Sequence, residues 1–255
     1  MPELTYSKEY PIHFYQVDFE GRVRLVPLLN FLSDAAGDHA AHLGWSVTDL
    51  LKNNMTWVLS RYHVRIARFP GLGEKLAVLT WPSGRHGYFA LRDFEVSDGD
   101  GSTVLVGTTS WMILDLGRKQ PLKIDDILPA STLVDRRALA DAFAALPVLD
   151  RPEREISFRV ETGHLDLNRH VNNTVYVQWA LEAAPEDVLM RRRPVEVEVS
   201  YRAEALYGDT VLSRAAAAAV PVAAPAGPGP GLVFLHQIAN AATGAELTRL
   251  RTRWE

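Results

Sequence analysis

The feature that most constrains this chain is that it is written twice. Residues 27–43 carry apolar side chains at Leu28, Phe31, Leu32, Ala35, Ala36 and Leu43. That is helical spacing, with Pro27 at the start and Gly44 just past the end. Residues 173–184 place Tyr176, Trp179, Ala180 and Ala183 on one helical face in the same way. The two segments align at an offset of 148, which carries Leu28, Phe31 and Leu32 onto Tyr176, Trp179 and Ala180, and Asp18 onto Asp166. Strand-like stretches follow each helix: 61–69, 75–81, 87–96 and 103–116 in the first copy, and the alternation of Val195, Val197, Val199 and Tyr201 with charged or polar neighbours in the second. Here the offset is 135, matching Val64, Ile66 and Gly73 to Val199, Tyr201 and Gly208. The first copy therefore has 13 more residues (148 less 135) between helix and strand, in the 45–57 region. One helix followed by several antiparallel strands, repeated, predicts a duplicated α+β unit: one mainly antiparallel sheet wrapped around two central helices.

Between the copies, 117–155 mixes prolines, charges and one short helical piece. It reads as a linker, with an amino-terminal unit over 1–130, the linker proper over 131–152 and a carboxy-terminal unit over 153–255. The low-complexity run 215–231, with four prolines, reads as a long loop between strands near 211–216 and 232–238. Composition excludes whole classes of chemistry. The chain of 255 residues has no cysteine, so disulfides, Cys-ligated zinc, iron–sulfur clusters and a thiol nucleophile are out. A net charge of −4 argues against a general nucleic-acid binder. No apolar run approaches the ~20 residues of a membrane span. The amino end shows no basic region leading into an apolar one. A soluble cytoplasmic protein is the expectation.

The segment with most chemistry is 165–173, LDLNRHVNN. Asp166, Asn168 and His170 are spaced by two, so an extended segment would point all three to one side. Asn172 or Asn173 then suits the N-cap of the following helix. A capped helix start alone explains one such residue, not several.

The run LDLNRHVNNTVYVQWALEAAP resembles the signature of the acyl-acyl-carrier-protein thioesterases, the plant FatA/FatB type and its bacterial relatives. So do Tyr201-Arg202-Ala203-Glu204-Ala205, which lies 34 residues from His170 to Glu204, and in the first half Gly37-Asp38-His39-Ala40 and Trp57-Val58-Leu59-Ser60-Arg61. The resemblance covers about 6–116 and 156–254. It implies a tandem hotdog fold and hydrolysis of fatty acyl thioesters on acyl carrier protein, with Asp166, Asn168, His170 and Glu204 as the catalytic set. Where some members of that family have cysteine beside the glutamate, this chain has Ala205.

Thioester hydrolysis needs an activated nucleophile and donors for the developing oxyanion; a thiolate of pKa near ~8.5 leaves with little acid assistance. On this reading Glu204 takes a proton from water, His170 orients that water or shares the proton work, Asn168 donates to the carbonyl oxygen, backbone N–H groups near Asn173 add to it, and Asp166 fixes its neighbours. Direct attack by the carboxylate is the alternative chemistry. The first half carries Asp18, Glu20, Arg22 and Phe69 at the matching positions, so one active site per chain is expected, leaving the first half to hold the acyl tail. Leu28, Phe31, Leu32, Trp57 and Tyr62 are candidate walls, although each is also ordinary core.

No cofactor or metal is expected: Asp38, His39 and His42 sit at helical spacing but lack further ligands. Asp98-Gly99-Asp100-Gly101 reads as a hairpin turn and Gly71-Leu72-Gly73 as a strand connection. Arg191, Arg192 and Arg193, with Arg61, Arg65 or Arg202, suit docking of an acidic carrier. The competing readings are an acyl-CoA thioesterase of the same fold and a non-catalytic acyl-binding protein. Acyl length and a homodimer are left open by the residues.

Overall fold

Pro27 lies in the first turn of helix α1 (Leu25–His42), where its missing N–H leaves no intrahelical bond unmade. The far end closes on Gly44, whose φ of 77° suits glycine, with Gly44 N–H bonded to the Ala41 carbonyl at 3.0 Å and Trp45 N–H to that of Ala40 at 2.8 Å. The computed structural model describes residues 3–129, 133–218 and 231–255. Its contacts divide the chain into two units, Met1–Ala142 and Phe143–Glu255, a division that falls inside 131–152.

In the first unit α1 lies against an antiparallel sheet of β1 (Tyr6–Pro11), β2 (Met55–Ile66), β3 (Lys75–His86), β4 (Phe89–Asp98) and β5 (Thr103–Asp115), in the order β1-β3-β4-β5-β2. Leu28, Leu29 and Leu32 are at most 1 % exposed, each such burial stabilising the unit by roughly 1.5–3 kcal/mol. The second unit repeats the plan with β7 (Arg154–Arg159), α3 (Asn173–Glu182), β8 (Pro194–Tyr201), β9 (Thr210–Ala217), β10 (Leu232–Asn240) and β11 (Glu246–Trp254), in the order β7-β9-β10-β11-β8. Strand for strand the two orders are the same. Each unit is a hotdog, one long helix cradled by an antiparallel sheet. The repeat extends to detail: β1 and β7, the 3-10 turns Phe14–Gln16 and Thr162–His164, and the bridges Val17 to Val23 and Leu165 to Val171 all share the 148 offset.

Several boundaries differ from the sequence pattern. The extra residues of the first copy form α2 (Val47–Leu51), capped by Ser46 and Asp49, and the first half of β2, which begins at Met55 rather than 61. β3 runs on past Trp81 through Pro82, at a register shift between Pro82 and Gly84 where a missing donor is tolerated. The stretch 117–155 is not linker throughout. It opens as a hairpin, with β6 (Gln120–Leu122) returning along β5, and ends in β7. The short helical piece expected there is only the 3-10 turn Ile124–Asp126; the alanine-rich residues after 136 form no helix among the described residues. The reason is tertiary. Fully buried Asp93 draws the Ala138 N–H at 2.7 Å and Arg137 Nε at 3.1 Å, holding this segment open along the sheet. Of the expected loop, 215–217 belong to β9, and 219–230 lie outside the described residues. In the second unit the helix breaks at Pro185 and resumes as α4 (Glu186–Arg191).

Candidate active site

Asp166, Asn168 and His170 do not lie on an extended segment as their spacing suggested. Asp166 Oδ1 accepts the N–H of Asn168 at 2.8 Å and of His170 at 3.3 Å, which turns the chain back on itself. Arg169 completes the turn with φ of 63°, its N–H bonded to the Asp166 carbonyl at 3.0 Å. A side chain in the left-handed region is strained, and the turn holds it there. Beyond the turn, Asn172 caps α3 by accepting the Thr174 N–H at 3.0 Å. Asn172 rather than Asn173 is therefore the N-cap. Its carbonyl also takes the Val175 N–H, so these two helix-start donors are not open to an oxyanion.

Glu204 enters from the stretch after β8. A bridge between His170 and Leu206 brings that stretch to the turn, and His170 Nδ1 stands 3.3 Å from Glu204 Oε2. Both side chains reach solvent, 36 % and 52 % exposed. The amide of Asn168 has no side-chain partner among the described residues and stays available as a donor. The second unit thus brings Asp166, Asn168, His170 and Glu204 together. At the matching place in the first unit, Asp18 Oδ1 forms the same turn with Glu20 and Arg22 at 2.9 and 3.0 Å, and Gly21 takes the left-handed place of Arg169. Arg22 there donates to the Phe69 carbonyl at 3.5 Å.

The first unit contains a cavity of about 200 Å³. On α1 it is lined by Ser33, Ala36, Gly37 and Ala40, and on the sheet side by Trp57, Trp111 and Arg92 among others. A Cβ on Gly37 would meet nothing within 4 Å. Arg92 donates through Nη1 to His39 Nδ1 at 3.0 Å and to Thr80 Oγ1 at 3.2 Å. Burial, reinforced by the Arg92 charge, pushes His39 down to about 4. It is neutral near pH 7, accepts at Nδ1, and donates from Nε2 to the Glu3 carbonyl at 3.2 Å.

Both halves of the chain match models of one family: residues 3–130 the acyl-ACP thioesterase N-terminal domain, and 150–255 the C-terminal domain. The chain belongs to the acyl-ACP thioesterase family. An oleoyl-acyl carrier protein thioesterase of Coriandrum sativum is 24 % identical over an alignment 283 positions long, covering 98 % of this chain and 77 % of that one. The chain spans between 62 and 77 % of the length of the curated relatives it matches. Among solved structures, the 12:0-ACP thioesterase of Umbellularia californica superposes with a TM-score of 0.87 at 22 % identity, covering 100 % of this chain and 95 % of that one. An acyl-ACP thioesterase of Bacteroides thetaiotaomicron gives 0.83 at 23 %, covering 98 % of both. These two likenesses carry the fold.

Within this acyl-ACP thioesterase fold some expected residues sit elsewhere. Leu28, Phe31, Leu32 and Tyr62 do not line this cavity; they are buried core, between 0 and 8 % exposed. Of the five apolar candidates Trp57 alone lines the cavity, its indole N–H bonded to the Trp45 carbonyl at 2.8 Å. The placement has a physical source. Bulky side chains fill space, whereas a cavity forms where they are small, and Ser33, Ala36, Gly37 and Ala40 recur at just that helical spacing. Asn173 gives its carbonyl to the Tyr201 hydroxyl at 3.0 Å. Ala205, in the cysteine position of some members of the family, is fully buried, so a thiol there would face packed protein. Asp38 is engaged by Lys8 at 2.7 Å, and His42 Nδ1 bonds the Asp38 carbonyl. Of the basic candidates, Arg202 pairs with Glu246 at 3.2 Å, while Arg191 and Arg192 are exposed. No helix among the described residues is long and apolar enough to cross a membrane.

Proposed function

We propose that this protein hydrolyses fatty acyl-acyl carrier protein to free fatty acid and carrier, using the second unit for the chemistry and the cavity of the first for the acyl tail. The observation that carries this reading is the 3.3 Å approach of His170 to Glu204 beside the Asp166 turn, in a chain of this family. Glu204 takes a proton from water as the water oxygen bonds to the thioester carbon. The charge that develops on the carbonyl oxygen is met by the Asn168 amide. The tetrahedral intermediate then expels the phosphopantetheine sulfur as thiolate, which needs little help to leave and takes up the proton afterwards. His170 orients the water and shares the proton, and Asp166 holds the turn that aims both Asn168 and His170.

The exposed Arg191 and Arg192 suit an acidic carrier, and the setting we propose is the bacterial cytoplasm. The test is a hydrolysis profile over a chain-length series of acyl-ACP and of acyl-CoA. Glu204→Gln and His170→Ala are each expected to lower kcat by about 10² or more with the fold intact. Wild-type turnover in Glu204→Gln would remove it as the base. A higher kcat/KM on acyl-CoA than on acyl-ACP of the same chain would replace the carrier protein by coenzyme A. Thiol-alkylating reagents are expected to leave activity untouched, since the chain has no cysteine.

A further inference from the structure

Glu204 sits on irregular chain between the end of β8 at Tyr201 and the bridge at Leu206, and such a stretch does not hold a carboxylate still by itself. Two phenols tie it to the start of α3. The Tyr176 hydroxyl oxygen accepts the N–H of Ala205, the residue after Glu204, at 2.8 Å. The Tyr201 hydroxyl donates to the Asn173 carbonyl at 3.0 Å. The Ala205 carbonyl in turn accepts the Val171 N–H at 3.2 Å, so the Ala205 residue is bonded on both sides to the segment that follows His170. Tyr176 is 2 % exposed, and its ring meets Trp179 and Tyr201 edge-on at 5.7 and 6.1 Å, which leaves its hydroxyl one direction to point.

The first unit supplies the control. It has the same bridge, Arg22 to Gly71, and the same turn, yet Leu28 and Ile66 stand where the second unit has Tyr176 and Tyr201. The backbone frame therefore forms without either hydroxyl. The phenols occur only where the frame carries Glu204 and His170.

We propose that Tyr176 is a positioning residue for the hydrolysis: by holding the Ala205 N–H it fixes the Glu204 carboxylate against His170, with Tyr201 as the second brace. This rests on the reading of Glu204 and His170 as the reacting pair. The test uses the full-length protein and a fatty acyl-ACP substrate. Tyr176→Phe keeps the ring and is expected to lower kcat at least tenfold while KM changes by less than about threefold, because a carboxylate displaced by an ångström loses up to about 10² in rate. Placed on Glu204→Gln, the same substitution is expected to cost nothing more, since the group it positions is already gone. Unchanged kcat in Tyr176→Phe overturns the inference. So does a loss that multiplies in full onto that of Glu204→Gln, the mark of a role independent of Glu204. Should Tyr176→Phe lose its cooperative melt, Tyr201→Phe carries the test by the same two criteria. An inactive Glu204→Gln beside a fully active Tyr176→Phe defeats this inference alone, whereas an active Glu204→Gln defeats the proposed function with it.

Discussion

The two units share strand order, turn and helix, and they differ in where they are hollow. Carried across by the shared offset and ladder registers, Ser33, Ala36, Ala40, Arg92 and Trp111 of the first unit correspond to Leu181, Ala184, Val188, Phe234 and Trp254 of the second. The first set lines the cavity. The second set packs into one solid cluster, with Ala184, Val188, Phe234 and Trp254 between 0 and 4 % exposed. Pro185 stands opposite Gly37 and breaks the second helix where the first runs straight on. At the turns the specialisation is reversed: His170 and Glu204 meet in the filled unit, Arg22 and Phe69 in the hollow one. One backbone plan thus tolerates either a void or a close histidine–glutamate pair, and each unit has one.

That contrast can be broken from either side. The largest expected effect is Phe234→Ala, which reopens in the second unit the space that the first leaves empty. It should destabilise the protein by about 3–5 kcal/mol in denaturant titration. Arg92→Ala, at the matching place beside an existing cavity, should cost clearly less. Equal losses would mean that the two places are not packed differently.

Next is acid. Burial pushes His236, fully enclosed and bonded through Nε2 to Thr252 at 2.8 Å, down to about 4. The unfolded chain therefore takes up a proton that the folded one refuses, so stability is complete above about pH 6.5 and falls as pH drops towards 4. At pH 5 the loss from this residue is on the order of 2 kcal/mol. His236→Gln should flatten the stability–pH curve over that range, and an unchanged slope would remove the assignment.

Gly37→Leu should fill the first unit's cavity and lower kcat/KM for the longest acyl chains by about tenfold relative to the shortest, a specificity change that uses one or two pocket methylenes' worth of space. A uniform loss at every length would count against the cavity as the tail site. Smallest in stability are the paired turn substitutions Asp18→Ala and Asp166→Ala, each expected to cost about 1 kcal/mol. They are the sharpest in function, because Asp166→Ala alone should also reduce kcat.

Periodicity and repeat were enough to place both helices within a few residues and to register the halves, since a shared core imposes the same apolar spacing on both copies. The spacing from Asp166 to His170 marked a polar cluster before the second helix, and the family resemblance added Glu204, which the structure places 3.3 Å from His170. The amino-acid sequence by itself thus determined the duplicated α+β plan, the absence of a thiol and the half that holds the polar groups. Only the tertiary structure decided that Asp166 closes a turn instead of lining an extended segment, because its backbone partners two and four residues on outweigh alternation. It also decided that the alanine-rich stretch after 136 stays open, since buried Asp93, over forty residues away in the chain, claims its donors. The cavity belongs to the same class. A void is a property of everything around it, and neither the bulky face of α1 nor any single strand records that the side chains opposite Gly37 leave space unfilled.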